Sequence, residues 1–378
     1  MKRTLVILLL SLVIGLIFVQ IVYHDQVDLW QLAKEKLLPH EKNAPVVRTR
    51  RGVNYVENLA FPDSVRNPQT PAWQGDPDKV RKLTLLYTIG GQPHDGTPAF
   101  RNATDVAFDS RGNLFVLDFG NKSIEMFDPE GHHLRTLGIG PKRRRLMLKP
   151  VDITVDSLDR IYVCDRKQGV LIFAEDGRLL KTLNLPFPAE QVGVTTAGEL
   201  VVLAPTHRYL LHRFTLDGVE LLAFAKQESE DAIYRAVFGK GALALDRDDN
   251  SYVSFVYPYR VVKYNAQGHP VLTFTRELGV LINPPTIKRG TSGRINQVIR
   301  QEVTFGLQLG PEGLLYVLVR TKGGKGGNLL DAFSPSGTYL QSLYLAENAV
   351  AFAFYNDELA LVSSATPQTV KVFRIERL

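Results

Sequence analysis

Cysteine is almost absent from this sequence of 378 residues, since Cys164 is the only one. No intramolecular disulfide can form, which excludes a small fold held together by disulfides. A Cys-x-x-Cys-His haem motif and a Gly-x-Ser-x-Gly nucleophile motif are missing as well. Cys164 stands in an apolar run, where a small buried side chain is expected rather than a catalytic thiol. The sequence therefore predicts no catalytic residue and no cofactor.

The sequence also has only a small net charge for its length. The formal net charge is +6, and only 22% of the residues are charged. A general nucleic-acid-binding chain is usually more basic than this. The positive excess is local, with one cluster at 48–51 and another at 142–145. We therefore predict no nucleic-acid partner and look for a function in the local clusters.

An uncharged run covers residues 5–23, with Lys2 and Arg3 before it. As a helix it is roughly 28 Å long, which matches the hydrocarbon core of a bilayer. The two cations are expected to hold residues 1–4 in the cytoplasm and to place the rest on the periplasmic side. The run is long for a cleaved signal peptide and lacks a small-residue cleavage site, although cleavage stays an alternative. No cysteine follows it for lipid attachment.

Residues 24–80 are expected to connect this single-pass anchor to the folded domain. Residues 28–38 have apolar positions at helical spacing, and Pro39 ends the pattern. Residues 39–80 are rich in proline, asparagine, arginine and glutamine and show little periodicity. We predict a juxtamembrane helix and then an extended tether, partly docked on the domain after it.

Four short alternating runs, divided by turn residues, recur along the chain. The first unit covers 105–137 and the second 152–183, with Gly131 and Gly177 before the last run of each. This pattern is typical of a four-stranded antiparallel meander whose hairpin turns need positive φ. Weaker copies follow at 192–224, 243–274, 303–343 and 350–375.

The sixth copy has only three runs, and a matching fourth run stands at 83–90. A strand from the N-terminal side that completes the last sheet closes a ring and removes exposed edges. The sequence therefore predicts an all-β fold over residues 81–378, a six-bladed β-propeller. Five or seven blades stay possible.

The first two units resemble NHL repeats. The resemblance is carried by Asp-Val-Ala-Phe-Asp at 105–109, Gly-Asn-Leu-Phe-Val-Leu-Asp at 112–118 and Ile-Glu-Met-Phe-Asp at 124–128. The aspartate after the second run is kept at Asp118 and Asp165, and later units have alanine or serine there. The resemblance implies a propeller. It implies no single chemistry, since such propellers include binding modules, hydrolases and lyases.

Adjacent cations occupy the connection between the first and second units. The candidate binding residues are Lys142, Arg143, Arg144, Arg145 and Lys149. In NHL-like propellers such connections line one face of the ring. Adjacent cations repel one another and gain from an acidic protein surface, a phosphate or lipid headgroups. A solvated loop without a partner is the other interpretation.

A long insertion at 276–302 separates the fourth and fifth units, and its length favours a lid or docking arm. Its candidate binding residues are Lys288, Arg289, Arg294 and Arg300.

The histidines are scattered, and only Asp105 and Asp152 recur at the start of an inner strand. We therefore predict no metal site, because ligands must converge on one point. The leading hypothesis is a non-enzymatic scaffold that binds a protein of the membrane or envelope. The alternative is a metal-dependent hydrolase or lyase at the mouth of the propeller channel.

Overall fold

The structure is a computed structural model that describes residues 46–57, 62–91, 99–280, 282–290, 295–299, 301–321 and 326–377. The chain divides into units of residues 1–44 and 45–378, and the described parts belong to the second. The predicted anchor at 5–23 and the helix at 28–38 lie outside the described residues. Within the described ranges, no helix is long and apolar enough to cross a membrane.

Strands make up most of the described chain. The residues before the first repeat unit form β1 (Val46–Arg50), β2 (Val53–Glu57), β3 (Asp63–Asn67) and β4 (Arg81–Gly90). The first unit forms β5 (Ala103–Phe108), β6 (Leu114–Asp118), β7 (Ser123–Phe127) and β8 (His133–Leu137). The second forms β9 (Pro150–Val155), β10 (Ile161–Asp165), β11 (Gly169–Phe173) and β12 (Leu179–Leu183). The third forms β13 (Gln191–Val194), β14 (Leu200–Leu203), β15 (Tyr209–Phe214) and β16 (Glu220–Lys226).

A short helix, α1 (Ala232–Phe238), precedes the fourth unit. That unit forms β17 (Gly241–Leu245), β18 (Ser251–Phe255), β19 (Arg260–Tyr264) and β20 (Pro270–Arg276). The long insertion contributes β21 (Thr286–Arg289) and β22 (Ile295–Ile299). The fifth and sixth units form β23 (Thr304–Leu309), β24 (Leu315–Val319), β25 (Gly327–Phe333), β26 (Tyr339–Tyr355), β27 (Glu358–Ser363) and β28 (Thr369–Arg377).

The first strands of successive units lie side by side around the ring. Contacts join β5 to β9, β9 to β13, β13 to β17, β17 to β23, β23 to β26, and β26 back to β5. Middle strands such as β6 and β10 are buried along their whole length, because both of their faces pack against neighbouring sheets. One apolar cluster joins Phe115 of the first unit to Ile161 and Val163 of the second, and others repeat this arrangement around the ring. The chain is therefore an all-β propeller.

The sheets do not match the prediction of six separate four-stranded blades. In the described part of the chain, only β5–β8 and β9–β12 are four-stranded sheets on their own. The last two units are merged into one seven-stranded sheet, because β26 pairs with β25 through its first half and with β27 through its second. Residues 344–349 contain neither glycine nor proline, so nothing breaks the strand between the two units.

The predicted ring closure is confirmed. Strand β4 pairs antiparallel with β28, from Arg81↔Arg377 to Thr369↔Gly90. A strand from the N-terminal side of the first unit thus supplies the outer strand of the last unit. Because β4, which directly precedes the first unit, belongs to the sheet of the last unit, the ring cannot open without losing these hydrogen bonds.

Residues 46–57 and 62–80, which we call the outer segment, lie along the outer rim of the propeller. Strand β2 pairs parallel with β16 of the third unit, and β3 pairs parallel with β20 of the fourth. Further on, the amides of Ala72 and Trp73 donate to the carbonyls of Tyr339 and Leu340 in the fifth unit. The outer segment therefore adds strands or hydrogen bonds to the rims of three consecutive units.

Candidate binding face

A ladder of polar side chains links the inner strands of the first four units. An Asp105 carboxylate oxygen accepts from the amide of Ile153 at 2.9 Å, and Asp152 accepts from Val192 at 2.9 Å. The side-chain oxygen of Gln191 continues the ladder and accepts from Leu243 at 2.6 Å. Each side chain satisfies a backbone amide of the next unit, so these residues hold neighbouring units in register.

The two carboxyl groups of the ladder interact with each other. Burial, and then repulsion by Asp152, raises the pKa of Asp105 well above its ordinary value. Burial also raises the pKa of Asp152 to about 7. Two buried carboxyl groups in contact cannot both ionise without a large cost, so the pair holds a proton in the slightly acidic range. Backbone amides and Gln191 Nε2 donate to these carboxylates at 2.9 to 3.0 Å, so both side chains serve to hold the ladder together.

A cavity of about 1170 Å³ lies among turns between first and second strands, including 156–160, 195–198, 246–248 and 310–313. Its carboxylates build these turns. Asp156 accepts from Arg160 Nε at 2.7 Å and from the Tyr162 hydroxyl at 2.9 Å. Asp246 makes the same kind of contacts with Asn250 and Tyr252. These two carboxylates thus have partners within their own turns, whereas Glu312, also in the cavity wall, pairs with Arg81 of β4 at 3.0 Å.

The cluster Asp128, Glu130 and His132 brings three possible metal-ligating groups within 4.8 Å of one another. It lies on the turn before β8. Asp128 already accepts from the amides of Glu130 and His132, and from His132 Nδ1 at 3.0 Å. The cluster is explained by turn geometry, and exposed acidic turns of this kind are common.

The connection from β8 to β9, residues 138–149, has a defined conformation, and we call it the cationic loop. The amide of Gly140 donates to Arg144 O at 2.8 Å, and Leu146 donates to Gly138 O at 3.0 Å, which folds the loop back on itself. Gly138 has a φ of 79°, and a Cβ atom there would collide with Met147 Cε. Met147 is fully buried in the cluster between the first two units.

The cationic loop is fixed to the second unit by Asp165. One carboxylate oxygen of this buried residue accepts from the amides of Leu148 and Lys149, at 2.7 and 2.8 Å. Its other oxygen accepts from Lys167 and Gln168. In the first unit, the Asp118 carboxylate likewise accepts from the amides of Arg101 and Asn102, just before β5. The aspartate at the end of the second strand in these two units therefore positions the connection that leads into the unit, a role for which the sequence gave no signal.

All five predicted cations of the cationic loop are exposed: Lys142, Arg143, Arg144, Arg145 and Lys149. None of them has a carboxylate within 4.0 Å in the described part of the chain. Lys142 and Arg143 also have positive φ angles, 55° and 57°. Residues with a side chain rarely adopt this region, and each such residue costs about 1 kcal/mol. The loop thus holds unpaired positive charges in a strained conformation.

The insertion, for which the sequence predicts a lid or docking arm, has regular structure in its described part. Its described part is a two-stranded hairpin, with β21 antiparallel to β22. Lys288 is exposed there, whereas Arg289 Nη2 contacts Asp231 Oδ2 at 3.0 Å, at the start of α1. Arg294 and Arg300 lie outside the described residues. Asp231 and Arg289 are 58 residues apart, so this pairing had no signal in the sequence.

The structure does not bring the two predicted cationic regions together. The cationic loop precedes β9 and the insertion precedes β23, and the inner strands β13 and β17 lie between those two strands around the ring. Both connections run from an outer strand to the next inner strand, so both lie on the same face of the propeller. The cationic loop is therefore a candidate binding site by itself.

Comparison with known proteins supports the fold and does not assign a family. No family model and no curated protein matches the chain. A solved structure from Bacteroides fragilis, of a protein named for its expected export, has 12% identity and a TM-score of 0.55, and covers 84% of this chain and 100% of its own. Virginiamycin B lyase from Staphylococcus aureus has 10% identity and a TM-score of 0.50, with coverage of 78% and 99%. Identities this low establish the propeller architecture alone.

Proposed function

We propose that this propeller is a membrane-anchored protein-binding module that contacts an acidic surface of another membrane or envelope component. The supporting observation is the cationic loop, with its exposed cations and no carboxylate partner among the described residues. An anionic partner would supply charge-assisted hydrogen bonds to arginine and lysine. Hydrogen bonds within the loop and to Asp165 already fix its backbone, so little backbone ordering entropy opposes binding.

A binding role agrees with how the described carboxylates are used. Around the ring axis and in the cavity, Asp105, Asp152, Asp156 and Asp246 accept hydrogen bonds that hold turns and strands. The exposed charges of the cationic loop do not take part in any such contact. We therefore assign the function to the face of the ring that carries the cationic loop rather than to the channel.

The anchor is the run at residues 5–23, with the propeller on the extracytoplasmic, periplasmic side. A tethered propeller meets membrane partners at high effective concentration, so a weak interface is sufficient. Retention of the full chain in alkali-washed membranes, with the propeller open to added protease only from the periplasmic side, is the expected result. Release by alkali or cytoplasmic exposure would remove this part of the proposal.

We also infer that the ring has six NHL-like units, of which the last two share β26. The support is the closed series of inner-strand contacts and the apolar clusters that each join two consecutive units. An experimental structure tests this inference, because six units predict near-sixfold repetition around the axis. A different number of repeats would overturn it.

The contact is tested by crosslinking the full-length chain in intact membranes and identifying partners by mass spectrometry. We expect one recurrent protein to crosslink through the cationic loop. Replacing Lys142, Arg143, Arg144 and Arg145 by serine should reduce its recovery about tenfold or more and flatten the dependence on salt. The matched control removes four exposed arginines elsewhere: Arg48, Arg66, Arg178 and Arg247.

Both variants lower the formal net charge from +6 to +2, since 6 − 4 = 2. Loss of the partner in the loop variant alone supports the proposal. Equal loss in both variants shows an effect of net charge, and equal retention shows that the loop is not the contact. Either of these two results contradicts the proposed function.

A further inference from the structure

The outer strand of the first unit, β8, has no neighbour on its outer side in the described part of the chain. The same holds for β12 in the second unit. An unpaired strand edge presents amides and carbonyls that can pair with another chain. In the third and fourth units the corresponding edges are occupied by β2 and β3. The rim of this propeller is therefore a surface on which extended segments pair.

The edges of β8 and β12 have closely similar sequences. One reads His-Leu-Arg-Thr-Leu and the other Leu-Leu-Lys-Thr-Leu, and each carries an exposed leucine at its second position. Leu134 is 48% exposed and Leu180 is 44% exposed. The two strands differ in their charges. Lys181 pairs with Asp217 at 2.7 Å, whereas Arg135 is exposed and has no carboxylate partner in the described chain.

The two strands also lead into different connections. Strand β8 continues directly into the cationic loop, with Lys142 five residues after Leu137. Strand β12 continues into Asn-Leu-Pro-Phe-Pro, which carries no charge. A segment that runs parallel to β8 would therefore reach the cations beyond its carboxyl end. The same segment on β12 would meet no cation there.

We propose that the edge of β8 receives an extended acidic segment of the partner protein, paired in parallel as an added strand. We infer a parallel direction from the outer segment, because β2 and β3 both run parallel to the outer strands with which they pair. Backbone hydrogen bonds along β8 supply sequence-independent affinity, and the cationic loop selects carboxylates at the carboxyl end of the segment. This inference rests on the proposed function and specifies the chemistry of its partner.

The test places a photoreactive phenylalanine derivative at single positions of the full-length chain in intact membranes. The positions are Leu134 on β8, Ile139 in the cationic loop and Leu180 on β12 as the matched control. Crosslinked partner peptides are then sequenced by mass spectrometry. We expect crosslinking at Leu134 to exceed that at Leu180 about tenfold. Parallel pairing predicts that Ile139 reaches partner residues further toward the carboxyl end, and that those residues are acidic.

The possible results separate this inference from the proposed function. Crosslinks at Ile139 without any at Leu134 support a cationic contact and overturn strand pairing. Equal yields at Leu134 and Leu180, or the reverse order of partner residues, also overturn it. Crosslinks to lipid alone, or to a second copy of this chain, exclude the acidic partner segment. If no position crosslinks to a protein, the proposed function and this inference both fail.

Discussion

The two sides of the propeller differ at the rim. In units three to five, the outer segment covers the outer strands with β2, with β3 and with the amides of Ala72 and Trp73. In units one and two, β8 and β12 have no strand beside them among the described residues. The covered side is closed to new strands, whereas the open side carries the cationic loop. The outer segment stabilises one part of the ring, and the part that it leaves uncovered is where we propose that a partner binds.

The largest expected effect lies on the covered side. Arg276 and Asp331 form a buried ion pair at 2.8 Å between the fourth and fifth units, and the Tyr259 hydroxyl donates to the same carboxylate. In Arg276→Met the buried charge of Asp331 loses its partner, so we expect a loss of about 4 kcal/mol in the free energy of unfolding. Denaturant unfolding measures it. The control is Arg135→Met at an exposed arginine on the open side, which should change the free energy of unfolding little. Equal losses in the two variants would show that the covered side is not the more important one for stability.

The pH dependence of stability should come from the open side. Because burial raises the pKa of Asp152 to about 7, the folded state holds a proton that the unfolded state has already lost above pH 4. Stability from this group is therefore highest near pH 4 and falls as the pH rises to 7, by at most about 4 kcal/mol. Unfolding measured from pH 5 to 8 should show this slope in the parent protein, and Asp152→Asn should make it shallower without removing it, because burial also raises the pKa of Asp105. An unchanged slope in the variant would contradict the raised pKa.

Asn67 joins the outer segment to the covered side. Its side-chain nitrogen donates to Thr275 O at 3.0 Å and Gly337 O at 2.8 Å, and its oxygen accepts from the amide of Tyr339 at 2.8 Å. Asn67→Ala leaves three backbone groups without this partner, two of them in buried hydrogen bonds, which we expect to cost about 3 kcal/mol in denaturant unfolding. The exposed Asn184→Ala serves as the control. A cost below about 1 kcal/mol would show that the outer segment is dispensable for stability.

The smallest effect separates stability from binding on the open side. Glycine adopts positive φ without strain, so Lys142→Gly and Arg143→Gly should each raise the free energy of unfolding by about 1 kcal/mol. The same changes should weaken association with the partner, because each removes a cation. Thermal unfolding and partner recovery from membranes measure the two effects. Unchanged association in the double variant would show that Lys142 and Arg143 do not take part in binding.

Much of the ring could be predicted from the sequence, because its determinants are local. Alternating runs and turn glycines such as Gly131 and Gly177 mark the first two units, and the run at 83–90 correctly indicated closure by β4. The merging of the last two units was not predicted. Residues 344–349 carry no turn signal, but this indicates one continuous strand only when the pairing partners β25 and β27 are known. The outer segment was expected to dock only in part. Its strands form on edges that lie far away in the sequence, and polar residues such as Asn67 gave no periodic signal.

The candidate site, like the fold, could be predicted from the sequence only in part. The exposure of Lys142 to Arg145 could be expected from four adjacent charges, which are costly to bury. The role of Asp165 in fixing the loop, and the unpaired edge of β8 beside it, depend on strand order and could not be read from local residues.

Hydrogen exchange of the outer strands in the full-length chain tests most directly the difference between the covered and the open sides of the rim. Amides on the outer edges of β16 and β20 should be protected, because β2 and β3 pair with them, and those of β8 and β12 should exchange rapidly in the absence of a partner. Protection of β8 that appears only when the partner is bound would agree with an added strand. Strong protection of β8 and β12 in the isolated chain would show that these edges are already covered, and would contradict the open rim on which the account depends.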